Sequence, residues 1–452
     1  MIESSDKPEP ALLKNTVWLN HIAEFLMIRS ALTKLASVYY GWRMVAIGCA
    51  IRLLGGGLHL YGFTVFFLPI TQELGLSRAA TSLVFSLARA EGAIEGPVGG
   101  YLIDRFGPRP MIMIAMVASG IGYMLLSTVS NYYAFLAVYL GVITLAFSAG
   151  FMHSPIVLAN SWFIRRRAMA MTLISSSIGL GGSLITPLLA LAVYTWGWRT
   201  GALLAGLGII LVGIPLALPV RRSPESMGLL PDGDPPLVPA NAHASISSAT
   251  AAQKDSRVEA RFTISQAMKT PAFWMLVAAT IARVTAYNAV TVHFIPMMVW
   301  KGVSEQRATA LLATMALASF PCHLLVGWLA DFVNKPKLMA VSMCIGTGSL
   351  FLLSYGEAEW SLWLFAILFT SVEAIFPVAW ATVGDFFGRK SFATIRGTMS
   401  FFYLWGAGLG PVAAGAIYDR YQSYAPIMSI LIGLFIVAAC LYGLLRAPSP
   451  QK

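Results

Sequence analysis

About twelve stretches of this chain are apolar over a length that can cross a lipid bilayer: 42–70, 79–103, 110–129, 132–158, 168–194, 200–219, 272–299, 306–330, 338–355, 360–384, 393–418 and 424–445. A spanning helix needs about 20 predominantly apolar residues. A water-soluble domain, by contrast, carries about a quarter charged residues. In this chain 57% of the 452 residues are hydrophobic and 11% are charged, too little polar surface to clothe a soluble fold. Soluble enzymes, nucleic-acid binders and disulfide scaffolds are thereby excluded as classes. The expected fold is an all-α membrane protein of twelve helices, and the lipid bilayer is its first partner.

The net charge of +11 reads as topology. With the N-terminus placed in the cytoplasm, 23 Lys and Arg fall on the inner side, and five (Arg78, Arg199, Lys301, Arg307, Arg420) on the outer side. Arg52, Arg89 and Arg283 fall inside spans. This bias is the positive-inside pattern, and it predicts cytoplasmic N- and C-termini in a cell inner membrane. Residues 11–36 space Leu13, Trp18, Ile22, Phe25, Leu32 and Leu35 at near-helical intervals beside basic residues, as an amphipathic helix on the inner leaflet would. Cys49, Cys322, Cys344 and Cys440 fall within spans without metal-ligand spacing and read as small packing residues.

The chain repeats itself. Pro69, Gly75, Leu76 and Ser77 recur as Pro296, Gly302, Val303 and Ser304, and Gly100, Leu102 and Asp104 recur as Gly327, Leu329 and Asp331, an offset of 227. Phe163, Arg165, Pro187 and Tyr194 recur as Phe387, Arg389, Pro411 and Tyr418, an offset of 224. Two parallel six-helix halves follow. The expected division is a cytoplasmic segment 1–40, a bundle 41–220, a Pro/Ser/Ala-rich linker 221–265, a second bundle 266–446 and a tail 447–452.

The loop after the second span reads GGYLIDRFGPRP, Gly99 to Pro110. It offers Gly100 for close approach, Asp104 and two bases (Arg105, Arg109), and Gly107 for a tight turn. Asp104 can accept from helix N-termini or arginines of the other bundle in one conformation and release them in another, and Asp331 is its repeat copy. The pattern resembles the signature loop of the major facilitator superfamily. Asn160 to Leu189, with its triple basic run and Ser/Gly-rich helix, and Gly197-Trp198-Arg199 beyond it look like the monocarboxylate transporter branch. Thr64–Phe67 and Ser223–Gly233 are similar to that branch and its oxalate/formate antiporter relatives.

The resemblance implies alternating access around a midplane site, and this chain departs from it where charge matters. The acidic opening of helix 1 is reduced to Tyr40-Gly41-Trp42. Tyr61 stands where mammalian members carry a helix-1 lysine, and Ser319 and His323 stand where the family has a helix-8 Asp/Arg pair. Helix 11, read as 393–418, lacks the internal basic residue associated with oxalate exchange.

Intramembrane charges cost at least about 2.5–3.5 kcal/mol each and so mark function. Arg52 and Arg283 lie near the middle of helices 1 and 7, counterpart helices of the two halves, where guanidiniums can grip a carboxylate bidentately. The alternative is that each is neutralised by a glutamate of its own half. Glu91 and Glu95 share a face of helix 2 and read as a structural cluster or secondary proton carriers. Glu373 is the preferred proton site, with His293 as another candidate; His59 and His153 read as packing residues. His323, Tyr61, Tyr287 and Asn288 are the further substrate contacts.

No phosphate loop, nucleophile elbow or metal spacing appears. The expectation is therefore a secondary transporter, not an enzyme, without cofactor or metal and sufficient as a monomer. Its cargo is expected to be a small organic anion, a monocarboxylate, with proton symport as the leading coupling. Anion exchange, proton-coupled export of amphipathic cations through the glutamates, and a non-transporting sensor are the alternatives.

Overall fold

The computed structural model describes residues 39–76, 78–234, 262–356 and 358–448. The segment expected to form an interfacial helix, 11–36, and most of the linker lie outside them. The described chain is helical, and its long helices number α1 to α12 in order. α1 runs Tyr40–Gly55, passes through a π-helical stretch Gly56–Leu60 and resumes at Gly62–Glu73; α2 is Arg78–Phe106 and α3 Pro108–Leu126. α4 comprises Tyr132–Val138, two π-helical stretches (Tyr139–Thr144, Phe147–His153) and Ser154–Trp162; α5 is Arg167–Trp196 and α6 Trp198–Ala217. The second half repeats the plan: α7 Pro271–Val292 continuing as Phe294–Trp300, α8 Glu305–Leu329, α9 Lys335–Tyr355, α10 Glu359–Ala374 and Phe376–Phe387, α11 Phe392–Tyr421, and α12 Ala425–Gly443.

Eleven of these helices are long and apolar enough to cross a membrane. α2 falls short on hydropathy because Arg89, Glu91 and Glu95 lie within it. Local sequence sets the ends. Gly107 (φ +90°) breaks α2 and hands over to Pro108 at the first turn of α3, and Gly197 (φ +84°) does the same between α5 and α6. Thr270 and Asn334 cap α7 and α9 through their side chains, each just before a proline in the first turn.

Small residues decide which helices come closest. A Cβ on Gly57 would stand 2.5 Å from Gly181 O, and Thr186 Oγ1 donates to Gly57 O at 2.8 Å, so α1 and α5 meet backbone to backbone. The glycine- and serine-rich stretch of α5 is thus a packing surface.

One apolar core lies wholly in the first half. The other fills the second half and extends into the first along the basic-face portions of its helices, at Met44, Val45 and Ile103, within 156–163 and within 168–174. The halves are therefore sealed together at one face, the basic face bearing the Arg165–Arg167 loop. At the opposite face Gly62–Glu73 packs on α2, α5 and α6, and Phe294–Trp300 on α7 and α8, each within its own half.

Candidate functional site

The seal on the basic face is built from helix-end electrostatics. Asp104 accepts from Ala393 N (3.2 Å), Thr394 N (2.8 Å) and Thr394 Oγ1 (2.6 Å) at the start of α11. Its repeat copy Asp331 accepts from Ala168 N (2.9 Å) and Met169 N (3.1 Å) at the start of α5. Each carboxylate thus satisfies orphan amides at a helix N-terminus of the other half. Burial pushes Asp331 up to about 6 against the lowering effect of those amides. Gly100 is required here, since a Cβ on it would stand 2.2 Å from Ala393 O. Arg105 bonds Tyr101 of its own helix (3.4 Å) and lies over Phe106 (5.4 Å), Gly107 forms the turn, and Arg109 is half-buried in the first turn of α3.

Two other sequence segments find their purpose at this face. Buried Arg167 donates to Asp385 across the halves (2.6 Å), and Lys335 joins the same carboxylate (2.8 Å). Arg389 donates to Ser161 O (2.9 Å) and pairs with Glu225 (2.8 Å), while Asp232 accepts from Ile164 N and Arg165 N (3.0 and 2.9 Å). Ser223–Gly233 is therefore a strap whose acids hold Arg165 and its repeat counterpart Arg389. At the opposite face Arg199 Nε donates to Glu73 (2.8 Å) and Nη1 to Ser127 O (2.7 Å), so the Gly-Trp-Arg segment ties α6 to the end of α1 and to the turn after α3.

Between the faces lie the intramembrane charges. Arg283, 0% exposed, pairs with Glu373 of α10 at 3.0 Å and donates to Val372 O at 3.1 Å. The Glu373 side chain is 30% exposed, so the acid is the accessible member of the pair and the base lies behind it. The alternative of neutralisation within the half therefore describes Arg283. It does not describe Arg52: that guanidinium, 2% exposed, rests on the Met152 thioether, with Nε unpartnered.

The remaining candidates divide by location. Tyr61 is 42% exposed, and Tyr287 stacks on Phe369. Asn288 turns back to Val284 O (2.9 Å). His323 bonds Ser319 O (2.8 Å) and Ser319 Oγ (3.2 Å), so the two residues at the family's charged positions satisfy each other. His293 is held between Tyr424 OH and Pro411 O (both 3.0 Å). The carbonyl only accepts, so Nε2 carries a proton, and the ring fastens α7 to the other helices of its half. Glu95 accepts from Ser148 Oγ and lies 3.9 Å from His153, whereas Glu91 keeps a buried oxygen without a partner.

Sequence reasoning missed Arg396. Counted there as a loop base, it sits inside α11, 3% exposed. It donates to His153 Nδ1 of the other half and stacks on Trp380 (4.9 Å). Arg396 lies within the span 393–418 read for helix 11, so its count among the loop bases is corrected: α11 does carry a buried base, four residues from its start at the basic-face end. The signal available was its distance from the double base Arg389-Lys390, with apolar residues between.

The comparisons agree with this architecture. Human monocarboxylate transporter 11 is 26% identical, covering 90% of this chain and 83% of its own. The oxalate:formate antiporter of Oxalobacter formigenes is 24% identical over 82% and 85%. Among solved structures, the E. coli fucose:proton symporter superposes with a TM-score of 0.64 at 14% identity, covering 89% of this chain and 98% of that one. The human organic anion transporter MFSD10 superposes with a TM-score of 0.58, covering 89% and 100%. Residues 45–411 match the Major Facilitator Superfamily profile. With twelve helices in two repeated halves, closed at one face by mutual helix caps, the chain belongs to that superfamily and is an integral membrane transporter, not an enzyme.

Proposed function

We propose that this transporter carries a small organic anion, a monocarboxylate, in symport with a proton, by alternating access across an inner membrane with both termini in the cytoplasm. The observation carrying the reading is the Arg283–Glu373 pair, its base fully buried and its acid part-exposed. While Glu373 is ionised it occupies Arg283 as an internal anion. Protonation neutralises it and frees the guanidinium for a substrate carboxylate, which then restores the charge balance of a dry site. Proton and anion binding are thereby linked through one cation. Tyr61 of α1 and Tyr287 of α7 are the proposed further contacts, with Asn288 beside Tyr287 on α7. His323, His293, Glu91 and Glu95 stand as secondary candidates. The names of the similar proteins, monocarboxylate transporters and an oxalate:formate antiporter, fit an anionic cargo. Anion exchange is the second reading, favoured by the same pair, because Arg283 can trade one carboxylate for another.

The test is uptake of labelled lactate, pyruvate, formate and acetate into proteoliposomes, with and without an inward proton gradient. Gradient-driven uptake of one acid, abolished in Arg283→Ala, is expected. Uptake only against an internal anion, indifferent to the gradient, moves the reading to exchange. Failure of every acid, with proton-linked movement of a lipophilic cation, overturns it.

A further inference from the structure

The strongest buried feature outside the Arg283–Glu373 pair is a meeting of two cations. Consecutive residues of α4 hold both: Met152 Sδ receives Arg52 of α1, and His153 Nδ1 receives Arg396 of α11. One guanidinium comes from each half of the protein. An arginine only donates, so His153 Nδ1 must be the unprotonated nitrogen, which leaves its Nε2 proton facing Glu95 at 3.9 Å. His153 is therefore neutral and adds no compensating charge. Two like charges are thus held on adjacent residues of α4, with Glu95 beside His153 as the carboxylate of the node. Glu91, one turn away on α2, interacts with Glu95. Tyr403 completes the surroundings of both arginines and packs on Trp380 at 5.9 Å between ring centres.

The node is also rich in donors without acceptors. Arg52 Nε, Arg396 Nε and Trp380 Nε1 are all buried and unpartnered. A thioether is a weak acceptor and gives Arg52 no countercharge. A dry site with two guanidiniums sharing one carboxylate and three idle N–H groups is short of an anion.

We propose that Arg52 and Arg396 form an inner carboxylate site, distinct from the cleft pair Arg283–Glu373 and bridging the two halves. The reading rests on the anion-transport proposal and extends it. The cargo is released from Arg283 toward the basic face and is next gripped by one guanidinium of each half, with the Trp380 N–H as a third donor. The aromatic rings connect the two sites: Arg283 lies over Phe376 (5.2 Å), Phe376 meets Trp380 (5.6 Å), and Arg396 lies over Trp380 (4.9 Å). Because its ligands belong to opposite halves, the inner site draws them together when filled and lets them part when empty.

The test uses the full-length protein in proteoliposomes with labelled lactate, pyruvate, oxalate and benzoate as probes. Counterflow is measured for the native chain, Arg396→Gln, Arg396→Lys and Arg283→Gln, with acid-dependent thermal stabilisation of the solubilised proteins alongside. Arg396→Gln is expected to raise the half-saturating concentration of the transported acid about tenfold or more, as loss of a charge-assisted hydrogen bond does, and to remove most of the stabilisation. Arg396→Lys, which keeps the charge but not the fork, is expected to fall between. If Arg396 only latches the halves, turnover changes while half-saturation and stabilisation stay native; that overturns the inner site. Saturation unchanged in Arg396→Gln but lost in Arg283→Gln overturns it and leaves the outer reading intact. Transport of none of these acids by the native protein brings down the anion reading as a whole.

Discussion

At the residue scale, two carboxylates do different work because their surroundings differ. Glu373 is half of an ion pair whose partner is buried, so Glu373→Gln mimics its protonated state permanently. The expected result is carboxylate exchange retained and proton-gradient acceleration lost, read as uptake with and without a pH step; gradient-driven uptake at the native rate would remove Glu373 from the coupling. Asp331 instead caps α5, and burial raises it to about 6 despite the two amides it accepts from. In an open basic face, with Asp331 solvated, its pKa returns toward the usual 3.9. The closed form thus binds the extra proton between about pH 6 and 4, and closure is favoured as pH falls through that window. Thiol labelling of a cysteine placed under α5 should slow on acidification in the native background. In Asp331→Asn the pH dependence of that labelling should disappear. Both acids were visible in the sequence, one as an isolated intramembrane charge and one as a repeat copy. That Glu373 finds Arg283 was not, because their partnership depends on how α7 packs against α10.

At the element scale, backbone approach between α2 and α11 is the tightest joint between the halves. A Cβ on Gly397 would stand 1.9 Å from Gly96 O, and one on Gly96 2.8 Å from Gly397 O. Gly397→Val is expected to force these helices apart, at a cost of about 1–3 kcal/mol by overpacking. The variant should populate the state open at the basic face, measured as faster thiol labelling there and a lower Tm. Labelling and Tm equal to the native protein would show that α2 and α11 yield without separating the halves. Charge counting assigns Arg389, Lys390 and Arg396 alike to the loop, although the apolar span 393–418 already reaches Arg396; Gly388 breaks the chain (φ +81°) and α11 starts at Phe392. Arg396 is then carried inside, where the α4 surface supplies His153.

At the scale of the molecule, closure at the basic face is what the proposed alternating-access cycle requires of one of its states. Every inter-half tie so far described (Asp104, Asp331, Arg167–Asp385, Arg389–Ser161, His153–Arg396) lies at or below the level of the midplane arginines. Tyr61 follows the π-helical stretch of α1 and Tyr287 lies in the last turns of Pro271–Val292, both on the side away from the basic face. Cysteines at these two positions, bridged by a bifunctional reagent, should abolish transport, and cleavage of the bridge should restore it. Full activity with the bridge in place would mean that the outer halves of α1 and α7 need not part. Replacing Asp104 and Asp331 together by Ala should open the basic face more than either single change, since each cap is worth about 1 kcal/mol and the two lie on different helix pairs.

The amino-acid sequence alone determined that the chain lives in a bilayer, that it is two repeats of six helices, and which loops carry the acids of the closing face. Hydropathy and repeat offsets are properties of the chain read in order, and membrane insertion depends on them directly. What tertiary structure decided was pairing: Arg283 with Glu373, His293 between Tyr424 and Pro411, the strap acids on Arg165 and Arg389, and Arg52 beside Arg396. Each joins residues distant in the chain. In a medium without water to take up an unmet charge, the partner that folding brings within about 3–4 Å decides whether an arginine is structural or free to take a substrate.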